Sequence, residues 1–380
     1  MRSCAHMRIP PPTCRCFHWV AVAAGALLSG SAAGAEFGAS WVGDFAAVVD
    51  GGLQEGERQL GLVEISFHHS AAVAARDVEF YASLHQTYGG GFSERWVGDL
   101  QTVSNVDAES STRVQEAWAD VPLSTTISLR VGRYDLSSEF DAIDTGALFL
   151  ASAQGIGTDI AQSGAAGPSI FPRTAFGVRT QFDLALGVAL RSAILDVESE
   201  TTDGGSDIPF TGGPMLAFEY ERAVAGVVLK LGGWGFTETR PAIETGAGTE
   251  REYGAYVSAE QRVNPRWAWY ARYGAANADV ARIGRYAGAG IVFTGALLPG
   301  RDDAVGFAIA HARNGDPYRR SMQSVGEATT AAETAYELTW RIPVGEHFAL
   351  QPDVQYVDDP GTNPALGDAL VVILRVEAVF

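Results

Sequence analysis

The chain closes on Leu370-Val371-Val372-Ile373-Leu374-Arg375-Val376-Glu377-Ala378-Val379-Phe380. On an extended backbone, Leu370, Val372, Leu374, Val376, Ala378 and Phe380 share one face, and every one of them is apolar. Val371, Ile373, Arg375, Glu377 and Val379 share the other face, which carries two charges. Globular strands usually run about five or six residues, whereas a tilted strand that crosses a bilayer needs about 9–11. An eleven-residue alternation with one wholly apolar face therefore reads as a strand with lipid on one side and a water-filled lumen on the other.

The same rhythm extends upstream. Tyr336, Leu338, Trp340 and Ile342 alternate with Glu337, Thr339 and Arg341, and Phe348, Leu350, Val354 and Tyr356 alternate with Gln351, Asp353 and Gln355. The short turn Pro343-Val344-Gly345-Glu346 lies between them, as expected at the periplasmic end of a barrel. Further strands are expected at Phe176–Asp183, Leu186–Val197, Pro214–Arg222, Val224–Phe236, Glu252–Arg262, Arg266–Ala275, Tyr286–Thr294 and Val305–Arg313. Phe182, Tyr220, Trp234, Trp267, Trp269 and Phe293 stand near strand ends, where interfacial aromatic girdles form. The N-terminal third adds Trp41–Val49, Leu62–Phe67, Asp77–Thr87, Trp96–Val103, Arg113–Val121 and Thr126–Arg133. Sixteen or seventeen strands result, and single-chain bacterial barrels prefer even numbers. The expected fold is all-β: a transmembrane antiparallel β-barrel of about sixteen strands, closed because hydrocarbon offers no partner to an open sheet edge.

At the other end, Arg2, Arg8 and Arg15 precede the apolar run Trp19–Leu28 and the small residues Ala33-Gly34-Ala35. Residues 1–35 are expected to be a cleaved signal peptide and residues 36–380 a single transmembrane barrel domain. Cleavage removes Cys4, Cys14 and Cys16, leaving no thiol nucleophile, cysteine-bound zinc or Fe–S cluster. It also takes away three arginines and no acid, so the formal net charge moves from −18 to −21 and nucleic acid is excluded as a partner. His68 and His69 are adjacent on a strand and point to opposite faces, and His85, His311 and His347 are scattered, so no metal or other cofactor is expected.

One stretch breaks the rhythm. Tyr134–Arg173 contains Gly155, Gly157, Gly164, Gly167, Pro168 and Pro172, yet carries Phe140, Leu148, Phe149 and Phe171, which require burial. In a barrel that burial is available in the lumen, so the segment is expected to fold inward as a constriction loop, with a short helix over Asp144–Ala151.

Arg130-Val131-Gly132-Arg133-Tyr134-Asp135-Leu136-Ser137-Ser138-Glu139-Phe140, followed by Leu148-Phe149-Leu150, resembles the carbohydrate-selective porin family, OprB. Phe348-Ala349-Leu350-Gln351-Pro352-Asp353-Val354-Gln355-Tyr356-Val357, then Pro360-Gly361 and a last strand ending in Phe380, is similar to that family's close. Weaker similarities are Leu231-Gly232-Gly233-Trp234 and Arg272-Tyr273-Gly274. The resemblance spans roughly Ser40–Phe380. It implies an outer-membrane, sixteen-stranded porin that passes glucose and related small sugars passively, with no chemistry and no cofactor.

A neutral solute rimmed with hydroxyls needs charged or amide groups that exchange hydrogen bonds with it, together with apolar walls. Lumen-face residues that could supply such groups are Arg130, Arg179, Arg191, Glu219, Arg272, Arg341, Asp353, Gln355, Arg375 and Glu377, and Arg133, Asp135, Glu139 and Phe140 begin the long loop. Each could equally be a structural lumen charge paired across strands. A general or cation-preferring porin is the principal alternative, whereas one lysine, Lys230, and the negative balance disfavour anion uptake. An outer-membrane barrel enzyme would need an oriented nucleophile or acid–base pair, and no spacing supplies one. A secreted glycosidase is disfavoured by the length of the strands. Expected partners are small carbohydrate solutes, outer-membrane lipid and lipopolysaccharide, and the barrel-assembly machinery through Phe380. A homotrimer is left open.

Overall fold

A computed structural model of the chain describes residues 35–74, 76–185, 187–197, 210, 213–298 and 302–380. The expected signal peptide therefore lies outside the described residues, apart from Ala35. The described chain forms sixteen strands. In the first half these are β1 (Ala35–Gly52), β2 (Gly56–Val73), β3 (Arg76–Tyr88), β4 (Ser111–Pro122), β5 (Ile127–Tyr134), β6 (Ala175–Leu184), β7 (Val188–Leu195) and β8 (Met215–Val224). The second half supplies β9 (Val227–Arg240), β10 (Glu250–Arg262), β11 (Trp267–Ala276), β12 (Ile283–Thr294), β13 (Ala304–Asn314), β14 (Ala332–Val344), β15 (Phe348–Asp358) and β16 (Gly367–Val379). Each strand pairs antiparallel with its chain neighbours, and β1 closes the barrel against β16.

Closure sets Trp41 opposite Ala378 and Phe45 opposite Leu374. The Phe380 N–H donates to the Ala39 carbonyl at 2.8 Å, and the Ala39 N–H donates to the Phe380 carbonyl at 3.1 Å, so the last residue is fastened to the first strand. Along β15 the pattern is strict: Phe348, Leu350, Val354 and Tyr356 are exposed on the outer face, while Ala349, Gln351, Asp353, Gln355 and Val357 are buried on the inner one. Pro352 points outward, and β14 pairs with β15 on either side of it but not at it, which suits a residue with no N–H.

Tight turns gather at one end. Ala225 (φ 51°) and Gly226 (φ 81°) join β8 to β9 in the doubly left-handed backbone that a two-residue hairpin needs. The opposite end carries long connections: residues 89–110, 135–174 and 315–331, the last containing the α-helix Asp316–Ser324. Short turns mark the periplasmic rim and long loops the extracellular rim.

The seventeenth expected strand, Trp96–Val103, is not a strand. The chain makes one wide helical turn over Ser93–Val97, reverses at Gly98 (φ 81°) and runs irregularly inside the barrel. Its apolar residues mimic a strand because they are buried: Val97 and Val103 pack against Val48, Leu60 and Val371 on the inner wall. The segment 135–174 also folds inward, as expected. A 3-10 turn spans Asp144–Leu148, and two single-turn helices, α1 (Ser152–Gly155) and α2 (Thr158–Ala161), follow, so the expected helix Asp144–Ala151 is shorter and stops where Phe149 becomes extended.

Room for this loop comes from small residues on the inner wall. Gly288, Gly290, Gly306, Ala308, Ala310 and Ala312 occupy the inner faces of β12 and β13. A Cβ on Gly306 would come within 2.8 Å of the Phe149 ring, and one on Gly274 within 2.3 Å of the Asp159 carboxylate, so bulk there is incompatible with the docked loop. The interior core is therefore made between loops and wall, with Leu136, Phe140, Ile156 and Ile160 packed against Leu195, Met215, Trp234 and Tyr256.

Candidate functional site

Wall carboxylates hold the long loop by accepting its backbone N–H groups. Glu219 Oε2 takes the N–H of Asp141 (2.9 Å) and the Tyr256 hydroxyl (2.7 Å). Glu260 takes those of Asp144 (3.2 Å) and Thr145 (2.9 Å), and Glu337 those of Leu150 (2.5 Å) and Ala151 (3.2 Å). Cations hold its carbonyls: Lys230 Nζ donates to Ala142 O at 2.6 Å, and Arg272 Nη2 to Asp141 O at 2.5 Å and Gly155 O at 3.1 Å. An irregular loop in a lumen has no ladder to satisfy its backbone, so side chains on the wall do that work.

The shorter loop, 89–110, is secured in the same way from β14, β15 and β16. Glu333 accepts the N–H groups of Leu100 and Gln101 at 2.8–3.1 Å, and Gln355 Nε2 donates to Val103 O at 2.7 Å. Arg375 grips Asp44 through two bonds of 2.7 and 2.8 Å and reaches Asn105 Oδ1 at 2.8 Å. Asp107 gathers the N–H groups of Gly91, Phe92 and Ser93 at 2.6–3.2 Å. The two loops are also tied to each other, Asn105 N–H to Leu150 O at 2.7 Å and Ser152 N–H to Thr102 O at 2.9 Å.

Between them lies a cavity of about 510 Å3. Its lining combines the apolar Ile143, Ile156, Phe171 and Pro172 with the polar Gln101, Asn105, Asp107, Asp144 and Gln162. That volume falls within the roughly 300–1,000 Å3 of small-ligand sites, and a lining that mixes amide and carboxylate groups with apolar side chains matches a solute with polar rims and weakly apolar faces.

None of the fourteen candidates read from the sequence lines this cavity. Three of them, Arg130, Glu139 and Arg179, meet in one network beside the β4–β6 wall. Arg179 donates to Glu139 (2.7 and 2.9 Å) and Asp120 (2.7 Å), and Arg130 approaches the same two acids at 3.4 and 3.2 Å with its guanidinium 3.8 Å above the Trp118 ring. Arg191 bridges Glu219 (3.0 Å) and Glu221 (2.8 Å). Arg341 pairs with Glu377 at 2.8 Å on the β14–β16 wall, half-open to the lumen. Arg272, Asp353 and Arg375 lie on the inner face but are buried beneath the loops.

The loop-start residues take structural places. Asp135 caps the 3-10 turn Leu136–Ser138, accepting from the Ser137 N–H (2.9 Å), and it also accepts the Phe171 N–H (3.0 Å), while burial pushes its carboxyl upward. Phe140 is fully buried in the core. Arg133 shares the outer face with its cross-strand partner Phe176 and donates to the Thr174 carbonyl, because strand alternation carries odd-numbered β5 residues away from the lumen. Sequence periodicity could not find Gln101, Asn105, Asp107 or Gln162, which sit on irregular backbone. The only signal was the apolar content of Trp96–Val103, which was attributable to a strand.

Comparisons with known proteins agree with this architecture. The sequence profile of the "Carbohydrate-selective porin, OprB family" matches residues 59–380. The chain belongs to this family. The high-pH structure of Pseudomonas putida OprB superposes with a TM-score of 0.81 at 18% identity, covering 91% of this chain and 94% of that one. The low-pH structure of the same protein gives 0.54 at 13% identity, covering 91% and 93%. A triple mutant of Rhodopseudomonas blastica porin gives 0.56 at 13% identity, covering 91% and 100%. A search of curated protein sequences returns no match. This OprB-family porin is thus a sixteen-stranded bacterial outer-membrane barrel, a channel for carbohydrates and not an enzyme.

Proposed function

We propose that small neutral sugars such as glucose diffuse passively between loops 89–110 and 135–174 on their way to the periplasm. The observation that carries this reading is the cavity itself, whose lining sets amides and two carboxylates together with Ile143, Phe171 and Pro172. The neighbouring charges support it. Arg130, Arg179 and Arg191 are matched by Asp120, Glu139, Glu219 and Glu221 at short range, so their fields largely cancel and an uncharged solute meets hydrogen-bonding groups without a strong barrier. Arg130, Arg191, Arg341 and Glu377 keep part of their surface open to the lumen and would meet the solute outside the narrowest zone. Residues 1–35 would direct export, Phe380 would be read by the assembly machinery, and the finished barrel would stand among lipopolysaccharide, alone or as a homotrimer.

One observation favours a cation-preferring general porin: Asp107 and Asp144 both line the cavity. Swelling of liposomes that contain the mature protein separates the two readings. Monosaccharides entering faster than amino acids of similar size are the expected result. Rates ordered by size alone would replace sugar selectivity with a general pore, and faster uptake of cationic amino acids would establish the cation-preferring one.

A further inference from the structure

On the outer face of the barrel, near the extracellular rim, Arg285 of β12 stands directly opposite Arg313 of β13. Both are exposed, and neither forms an ion pair or side-chain hydrogen bond with a described residue. Directly opposed residues hold their Cβ atoms about 4.5–5.5 Å apart, and like charges in that relation repel. The pair belongs to the regular register that runs on through Tyr286–Ala312 to Thr294–Ala304, so the strand pairing itself fixes it, and the shift between Ile283 and Arg285 lies on its loop side. Two guanidinium groups without a partner among the described residues, held opposite each other by the sheet register on a membrane-facing wall, call for an anion between them.

The surroundings indicate which anion. Below Arg285 the outer face of β12 continues with Ala287, flanked by Tyr273 on β11 and by His311 on β13, and Ala289, flanked by Ala271 and Ile309; the His311 ring is engaged by the Thr334 hydroxyl at 2.9 Å. Ala271, Ala287 and Ala289, bordered by Tyr273, His311 and Ile309, form a shallow, mainly apolar furrow that runs from the arginines toward Ile291 in the lipid-facing belt. Tyr253 and Tyr273, exposed on the same face, mark the extracellular interface. A phosphate above and an acyl chain below are the two parts of a phosphorylated lipid.

We propose that Arg285 and Arg313 clamp a phosphate of an outer-leaflet glycolipid whose acyl chain lies along Ala287 and Ala289. The site rests on the outer-membrane placement of the barrel but not on which solute it carries. Free phosphate shares the head-group chemistry but has no use for the furrow.

The test is native mass spectrometry of the full barrel, delipidated in detergent and titrated with bis-phosphorylated lipid A, with the same lipid stripped of phosphate, and with inorganic phosphate. Phosphorylated lipid A should be retained, and the double variant Arg285→Ala/Arg313→Ala should retain it at least about tenfold less. Arg266→Ala, at an exposed arginine of the periplasmic rim, should behave as the unsubstituted protein. Equal retention by the double variant, equal retention of the phosphate-free lipid, or displacement of lipid A by millimolar inorganic phosphate would each overturn the proposal. Sugar-driven liposome swelling, read on the same double variant, should stay unchanged, so failure of the lipid site and failure of the sugar reading are told apart.

Discussion

Arg272 Nε lies 2.9 Å from Asp141 Oδ1, with both side chains about 1% exposed, and this ion pair pins the long loop to β11 in the middle of the barrel. The Nε–H is not aimed at that oxygen, and the guanidinium spends its donors instead on the carbonyls of Asp141, Ala153 and Gly155. One side chain therefore neutralises a loop carboxylate and satisfies three loop carbonyls.

Replacing Arg272 with Met leaves Asp141 buried without its counter-charge, a change that costs about 3–5 kcal/mol when one member of a buried pair is removed. Loop 135–174 is expected to detach while the barrel stays closed. Liposome swelling should then admit oligosaccharides that the unsubstituted protein excludes. The double variant Arg272→Met/Asp141→Asn should be less destabilised than the sum of the single ones, and additivity would show that the pair does not hold the loop.

Asp159 in α2 carries a second prediction. Burial, and then the Asp141 carboxylate, push its carboxyl from 3.8 to about 7, and neither of its oxygens has a hydrogen-bond partner. The folded protein binds more protons than the unfolded chain between those values, so stability falls as pH rises from about 4 through 7. Asp159→Asn should raise stability by about 1–3 kcal/mol at pH 8 and by almost nothing at pH 4. Thermal unfolding at the two pH values checks this, and an equal gain at both would refute the ionisation account.

Asp107 organises the shorter loop through three backbone N–H groups. In Asp107→Ala these donors lose their acceptor, at about 1–3 kcal/mol for each one left unsatisfied and buried. Proteolysis within residues 89–110 should accelerate, and the size limit for neutral sugars should rise. A variant with unchanged cleavage and an unchanged size limit would show that Glu333, Gln355 and Arg375 suffice to hold the loop.

Asp144 presents an exposed carboxylate to the cavity while its own N–H is held by Glu260. Asp144→Asn should therefore leave the loop in place and lower cation preference, seen as a shift of the reversal potential toward zero in a salt gradient. Sugar swelling rates should hold within about twofold, because uncharged solutes gain little from a screened surface charge. A large fall in sugar flux would instead make Asp144 a hydrogen-bonding contact of the sugar.

The barrel was legible in the sequence because its determinants are local. Strand alternation places Leu374 outside and Arg375 inside without reference to any other segment, and a closed sheet follows from the demand that every backbone group at membrane depth be paired. The same rule put Arg130, Arg179, Arg191, Arg272 and Glu377 on the inner face. The burial needs of Phe140 and Phe149 gave the inward course of the long loop.

Only the tertiary structure decided the passage. Trp96–Val103 reads as a strand because Trp96, Val97, Leu100 and Val103 are apolar, and nothing local says that their burial comes from the inner wall instead of from lipid. Gln101, Asn105, Asp107 and Gln162 meet across two loops that are far apart in the chain, at positions set by Glu333, Gln355, Arg375 and one another. Irregular backbone has no period, so the place of its side chains depends on which distant groups satisfy its N–H and carbonyl groups, and that information exists only once the barrel has closed around them.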